Sequence, residues 1–499
     1  MKDKDKYAEE HNSTYLNCVH CGKCLPVCPS YSIGLNEFFS PRGRVRLILT
    51  DNADELPLRA SKVAESMSAC LLCVRCVKIC PNDVKIDELV IDEKIKLNES
   101  ADRAFSIEKI ALKALKNKRK VLLKSALKIA NIPFVEKLAG RYAPHPEGKS
   151  FIADRDLIFN ADTAVTQSPS GNHPALRASL LERRGVIGES IDTSLENPRS
   201  LLLKKEEVIR QSADESGRNV FKAGYFSGCV FNGIYPQIST CTVTSLTENG
   251  IEVFVPKMQG CCGLPFISSG DVKSFRELAL NNARAFKDKN LDYIVTSCAS
   301  CSYSINKLYT LYFNENDENY PEILNFSKKL MNIWSFFKEL EKSGIEIKKG
   351  KLKKETEAVF HIPCHLSNMP EFRPSSANEN LIGEAGFIAD KIIGLKLKPL
   401  KYNYCCGNGG MFNIRHYDLS KEITKRKFEE IKEASPQEIL TSCSGCIFSL
   451  KDQKGILEKN ETMPVNHLIS LYAGSLQGKV RYDCITSDLS NDSKAGIVI

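Results

Sequence analysis

Ten cysteines in two copies of one pattern constrain this chain more than any other feature. The first copy is Cys229, Cys261-Cys262-Gly263, Cys298 and Cys301, spaced C-x31-CC-x35-C-x2-C. The second is Cys364, Cys405-Cys406-Gly407, Cys443 and Cys446, spaced C-x40-CC-x36-C-x2-C. The flanks repeat as well: Thr296-Ser297-Cys298-Ala299-Ser300-Cys301 answers Thr441-Ser442-Cys443-Ser444-Gly445-Cys446. Each copy brings five thiols, one more than a tetrahedral zinc ion or a four-iron cube requires. Adjacent thiolates on one metal centre need a sharp backbone turn, which the following glycine tolerates. A zinc site with a spare thiol, or plain buried cysteines, are the competing readings. Zinc leaves the adjacent pair unexplained.

The context of the repeats predicts their fold. Short apolar strands are expected at Ala223–Phe226, Ile251–Val255, Leu291–Thr296, Ala358–Ile362 and Glu438–Thr441, with helices at Val272–Asp288 and Leu419–Lys432. Alternation of strand and helix implies a parallel α/β layer. The cysteines fall just past strand carboxyl ends, the edge where open α/β sheets bind ligands.

A second thiol pattern precedes the repeats. Cys18-x2-Cys21-x2-Cys24-x3-Cys28-Pro29 recurs as Cys70-x2-Cys73-x2-Cys76-x3-Cys80-Pro81. This is the ferredoxin spacing for two [4Fe–4S] clusters, in which the fourth cysteine of each run reaches the other cluster. The expected sets are Cys18, Cys21, Cys24 and Cys80 for one cluster and Cys70, Cys73, Cys76 and Cys28 for the other. Between the runs, Ser40-Pro41-Arg42-Gly43-Arg44 reads as a turn opening a helix. Arg42, Arg44 and Arg46 either face the anionic clusters or form a solvated basic turn.

Five segments follow: 1–100, a two-cluster ferredoxin-type α-helical domain; 101–142, a basic amphipathic helix; 143–220, a linker or insertion; 221–350 and 351–499, the two α/β cysteine-rich repeats. The helical stripe Ile107–Ile129 carries lysines from Lys109 to Lys128 opposite its apolar face. That face suits an anionic membrane or an acidic partner, or simply solvent. His361 and His365 flank Cys364 and are weak candidates to tune that site. Cys241 is expected in a helical core, and Cys484 is incidental.

Twenty cysteines in a 499-residue chain that opens Met-Lys-Asp-Lys-Asp-Lys, without an apolar signal segment, argue for metal centres rather than disulfides. The net charge of +8 gives no nucleic-acid footprint. No uncharged apolar run approaches the roughly 18 residues that span a bilayer. The expected location is cytoplasmic, or peripheral on the inner face of the cytoplasmic membrane.

The CCG repeats resemble the cysteine-rich domains of heterodisulfide reductase catalytic subunits. The amino-terminal motifs, Cys18-Val19-His20-Cys21-Gly22-Lys23-Cys24, Cys28-Pro29-Ser30-Tyr31 and Ser40-Pro41-Arg42-Gly43-Arg44, resemble the iron–sulfur subunit of glycolate oxidase. Similar layouts occur in anaerobic glycerol-3-phosphate dehydrogenase iron–sulfur subunits. The resemblance implies up to two further, noncubane [4Fe–4S] clusters, each on the five cysteines of a repeat, with the CCG pair supplying a bridging thiolate. It also implies an iron–sulfur oxidoreductase subunit, active within a complex. Electrons would pass between a flavin-linked 2-hydroxyacid (glycolate- or lactate-type) dehydrogenase and a quinone or other membrane acceptor, by way of a cytochrome b subunit or directly. The Cys298/Cys301 and Cys443/Cys446 pairs depart from glycolate oxidase subunits, which usually keep one cysteine there, and point toward the heterodisulfide reductase branch. In that alternative the ten CCG cysteines are catalytic and reduce a disulfide. A cluster-binding scaffold or sensor is a third reading.

Overall fold

The computed structural model describes residues 17–52, 60–100, 221–367, 383–457 and 463–477. The expectations for 101–142 and 143–220, the Lys109–Lys128 face and Cys484 lie outside the described residues.

The amino-terminal part is helical. Helices Pro29–Gly34 and Pro41–Asn52 each open on proline, which suits a first turn because its missing N–H has no intrahelical acceptor there. Helices Ala60–Ser68, Arg75–Ile79 and Ile86–Ser100 follow. Their apolar residues recur at helical spacing: Val45 with Ile48, Val63 with Met67, and Ile86 with Leu89 and Val90 are buried together.

Two parallel four-stranded sheets follow. Strands β1 (Lys222–Tyr225), β2 (Glu252–Phe254), β3 (Tyr293–Thr296) and β4 (Leu330–Asn332) lie in the order β2-β1-β3-β4. Strands β5 (Gly350–His361), β6 (Ile392–Lys398), β7 (Glu438–Thr441) and β8 (Val465–His467) repeat that order as β6-β5-β7-β8. Register is set by Ala223 beside Val253 and Tyr293, and by Val359 beside Lys398 and Ile439. Helices cover both faces, so β7 is buried along its whole length, as parallel strands are.

This strand order has a consequence for the cysteines. From β1 the chain goes first to β2 on one side, then to β3 and β4 on the other. Where strand order reverses, the connections diverge and leave a crevice beyond the carboxyl ends. Cys229 and Cys298 leave the sheet at that point, after β1 and β3; Cys364 and Cys443 do so after β5 and β7.

Strands β4, β6 and β8 were not among the expected elements, and β5 begins at Gly350 rather than Ala358. All three missed strands lie at sheet edges, and β4 and β8 are three residues long. The repeats are joined by side chains remote in sequence. Asn249 donates to Tyr472, which donates to the Lys348 carbonyl, and Trp334 stacks on His467. Among the described residues no helix is long and apolar enough to cross a membrane.

Candidate metal centres

Two cavities in the amino-terminal part are lined by interleaved cysteines. One is walled by Cys28, Cys70, Cys73 and Cys76, the other by Cys18, Cys21, Cys24 and Cys80, and Ile86 borders both. The loops that turn the thiols inward hold His20, Leu72 and Val74 in the left-handed region, with φ of 54°, 51° and 63°. Such backbone is costly without glycine and persists where surroundings over-determine it. Burial pushes the Cys24 thiol up to about 11, that of Cys73 to about 12, and that of Cys76 well above its usual value. Neutral thiols are therefore preferred there until a metal's positive charge is supplied.

The spread of the thiols discriminates between metals. Around a single zinc ion, with Zn–S about 2.3 Å, tetrahedral sulfurs stand about 3.8 Å apart. No three of these eight side chains come within 4.8 Å of one another. The wider spacing suits a cube rather than one ion.

Arg44 is fully buried beside the inner cavity and donates to the Ser66 carbonyl at 3.0 Å and to Ser30 Oγ at 3.1 Å. Arg42 borders the outer cavity, pairs with Glu37 and donates to the His20 carbonyl at 3.0 Å. Arg46 is exposed, so the solvated reading holds for it alone.

In the repeats the cysteines of each copy meet as the strand ends dictate. Cys229 and Cys261 sulfurs are 3.5 Å apart, and those of Cys406 and Cys446 are 3.2 Å apart. The backbone turns on Gly263 (φ 83°) and Gly407 (φ 80°), whose N–H groups point at Cys261 and Cys405 sulfurs, each at 3.4 Å. Ser304 donates to the Cys262 carbonyl at 2.8 Å, and Ser449, its counterpart, donates to the Cys406 carbonyl at 2.7 Å. Cys298 caps the helix Ala299–Tyr303, and Cys443 immediately precedes the helix Ser444–Leu457, so partial positive charge faces the sulfurs. Donation from the Cys261 and Cys301 thiols holds Cys262 well below the usual thiol range, and Cys405 and Cys446 do the same for Cys406. The second cysteine of each pair is thus a sulfur on which other thiols of its set converge.

The two sets abut. Cys298 Sγ lies 3.2 Å from Ser444 Oγ, Ser300 Oγ lies 3.0 Å from Cys443 Sγ, and the Ala299 N–H donates to the Ser442 carbonyl. Cys298 is 1% exposed and Cys443 3%. His467 donates from Nε2 to the Ser297 carbonyl at 2.9 Å; burial lowers it to about 4 and keeps it neutral.

The inner amino-terminal set touches the second repeat. Ala69, Leu71 and Cys73 share one apolar cluster with Cys405, Phe412 and Ile423. Arg75 donates to the Asn403 carbonyl at 2.6 Å and lies in the field of Cys405, Cys73 and Cys364. His365 donates from Nε2 to the Leu72 carbonyl at 2.9 Å, meets Ser300 Oγ through Nδ1 at 3.1 Å, and stacks on Tyr303. It joins the ferredoxin loop to both repeats. His361 is buried at the end of β5, against Cys406 and Cys446. Cys241 is buried on the helix Pro236–Glu248. Sequence reasoning missed Arg75, Ser300, Ser444 and His467; the only signal for Ser444 was its place between Cys443 and Cys446.

Residues 223–306 and 358–451 match the CCG cysteine-rich domain, and residues 14–84 match the 4Fe-4S dicluster domain. The chain thus carries a dicluster-domain match followed by two CCG-domain matches, each of the latter lying on one parallel four-stranded sheet. Among curated proteins the chain is similar to the probable glycolate oxidase iron-sulfur subunit of Bacillus subtilis (strain 168), 26% identical over 465 residues, 92% of this chain and 94% of that one. It is also similar to lactate utilization protein A 2 of Bacillus cereus (strain 03BB102), 25% identical over 51% of this chain and 99% of that one. A third relative is a subunit of the fumarate reductase (CoM/CoB) of Methanothermobacter marburgensis, 22% identical over 87% of this chain and 67% of that one.

Proposed function

We propose that this chain is the electron-transfer subunit of an oxidoreductase complex, partnered by a flavin-linked 2-hydroxyacid dehydrogenase of glycolate or lactate type and delivering to a quinone or membrane acceptor. In this reading Cys18, Cys21, Cys24 and Cys80 hold one [4Fe–4S] cube and Cys28, Cys70, Cys73 and Cys76 a second. Cys364, Cys405, Cys406, Cys443 and Cys446 hold a third centre, and Cys229, Cys261, Cys262, Cys298 and Cys301 a fourth. Such centres accept and release electrons singly, which bridges two-electron flavin chemistry to a distant acceptor.

One observation carries the reading: the four thiol sets form an unbroken file. The outer set borders the inner through Ile86, the inner meets the second repeat at Cys73 and Cys405, and the repeats meet at Cys298 and Cys443. The file opens to solvent at Cys21, with Val19 exposed in the same loop and Ile79 exposed next to Cys80. An apolar rim around a surface cluster suits a docking partner. Where the two CCG sets face one another, Ser300 and Ser444 close the gap and the facing sulfurs are sealed. That supports conduction over reduction of a disulfide held between the repeats.

The test uses the anaerobically reconstituted full chain with reduced viologen and cystine as the probe disulfide. The expected result is stoichiometric uptake of electrons, read as bleaching of cluster absorbance, without cystine-dependent turnover. Turnover in the wild type that is lost in Cys262→Ser and Cys406→Ser would replace this reading with the disulfide reductase one.

A further inference from the structure

The repeats agree at all five thiols and differ beside them. Three residues before the first cysteine the first repeat has Phe226, and the second has His361. Phe226 is fully buried and packs on Phe286 and Phe326 at 6.3 and 6.4 Å, an ordinary core role. His361 is 2% exposed, and neither ring nitrogen makes a well-formed hydrogen bond, the Cys406 sulfur beside it being a weak partner. A buried polar atom left unmatched has lost its hydration for nothing, and most buried groups avoid this. A histidine here, where phenylalanine serves in the other copy, needs a compensating bond.

The neighbours indicate what that bond is. The imidazole donor, Cys406 Sγ and Cys446 Sγ all lie within 4.8 Å of one another, the only such triad among the described residues. A neutral imidazole keeps one ring nitrogen with a lone pair that can serve as a donor. Nitrogen and thiolate serve zinc as well as iron, but the five thiols of this repeat together with a histidine exceed the four donors a zinc ion takes, which favours an iron–sulfur centre with a histidine ligand.

We propose that His361 donates nitrogen to the iron centre held by Cys406 and Cys446, making the second CCG site a mixed nitrogen–sulfur site while the first remains all-sulfur. The proposal rests on the reading that each repeat holds an iron–sulfur centre. With six candidate donors in the second repeat, one sulfur is freed from the role that its counterpart must fill in the first. The site nearer the ferredoxin clusters then differs in potential from the deeper one. Cys406, on which other thiols of its set converge, is the thiolate most affected.

The test compares full-length chains carrying natural-abundance and 15N-labelled histidine, poised by redox titration and read by pulsed EPR and 57Fe Mössbauer spectroscopy. The expected result is an isotope-sensitive histidine-nitrogen coupling in the wild type. It should be absent in His361→Phe, which copies the first repeat, and in His361→Leu. One centre should titrate at a lower potential in the variants, with the others unmoved. No histidine-nitrogen coupling in the wild type overturns the proposal even if both variants fail to fold, as does a coupling unchanged in either variant. Iron analysis separates the two levels. About sixteen irons per chain without the coupling defeats the histidine assignment alone, whereas about eight defeats it together with the reading beneath it.

Discussion

Gly263 and Gly407 show how closely single residues control the thiol sets. Each follows a cysteine pair with φ near 80°, and an added Cβ would come within 2.5 Å of a Phe275 ring carbon or of Thr424 Oγ1. Thr424 is itself bonded to the Cys406 carbonyl at 2.9 Å. The atom that would have to move is therefore one that holds the CCG backbone. Gly263→Ala and Gly407→Ala should each destabilise the chain by about 2 kcal/mol through combined strain and overpacking. Thermal unfolding of the loaded protein measures this, and Gly407→Ala should also accelerate cluster loss. The need for glycine was legible in the sequence, because two adjacent thiols force a turn. Phe275 and Thr424 were not, because they come from helices whose facing side only the folded repeat reveals. His361 was noticed only as a neighbour of Cys364, since no spacing rule links it to Cys406 and Cys446.

At the scale of elements, helix Ile86–Ser100 is the strut between the amino-terminal part and the first repeat. Its Asp87, 2% exposed, accepts from Tyr303 at 3.0 Å and from Lys307 at 2.6 Å, and Asp92 accepts from Tyr312 at 3.0 Å. Lys307 is 30% exposed, so part of its charge is screened and the pair is worth less than a fully buried one. Removing the carboxylate still strands a Tyr303 hydroxyl in the interior. Asp87→Ala should cost about 2 kcal/mol, and Asp87→Asn less, because an amide oxygen can still accept from Tyr303. Denaturant unfolding followed by cluster absorbance compares them. The strands β1, β3, β5 and β7, which position the cysteines, were readable as short apolar runs before a thiol. Of the edge strands, β2 was read from its apolar run Ile251–Val255, but β4, β6 and β8 were not, because their short or lysine-bearing runs, such as Ile392–Lys398, carry too little periodicity to separate strand from loop.

Across the whole molecule, the account depends on the order of four thiol sets. The crossing of the ferredoxin runs, with Cys28 beside Cys70 and Cys80 beside Cys18, lies in the spacing itself. The docking of the inner set on the second repeat does not. It depends on Arg75 with Asn403, His365 with Leu72, and Leu71 against Phe412, pairs hundreds of residues apart with no motif to announce them. The most direct test of the central claim is iron and acid-labile sulfide analysis of the anaerobically purified chain. Eight amino-terminal thiols and ten CCG thiols predict four centres and roughly sixteen irons per chain. About eight irons accompanied by zinc would contradict the account, leaving the amino-terminal clusters intact and the CCG repeats as sites of another kind.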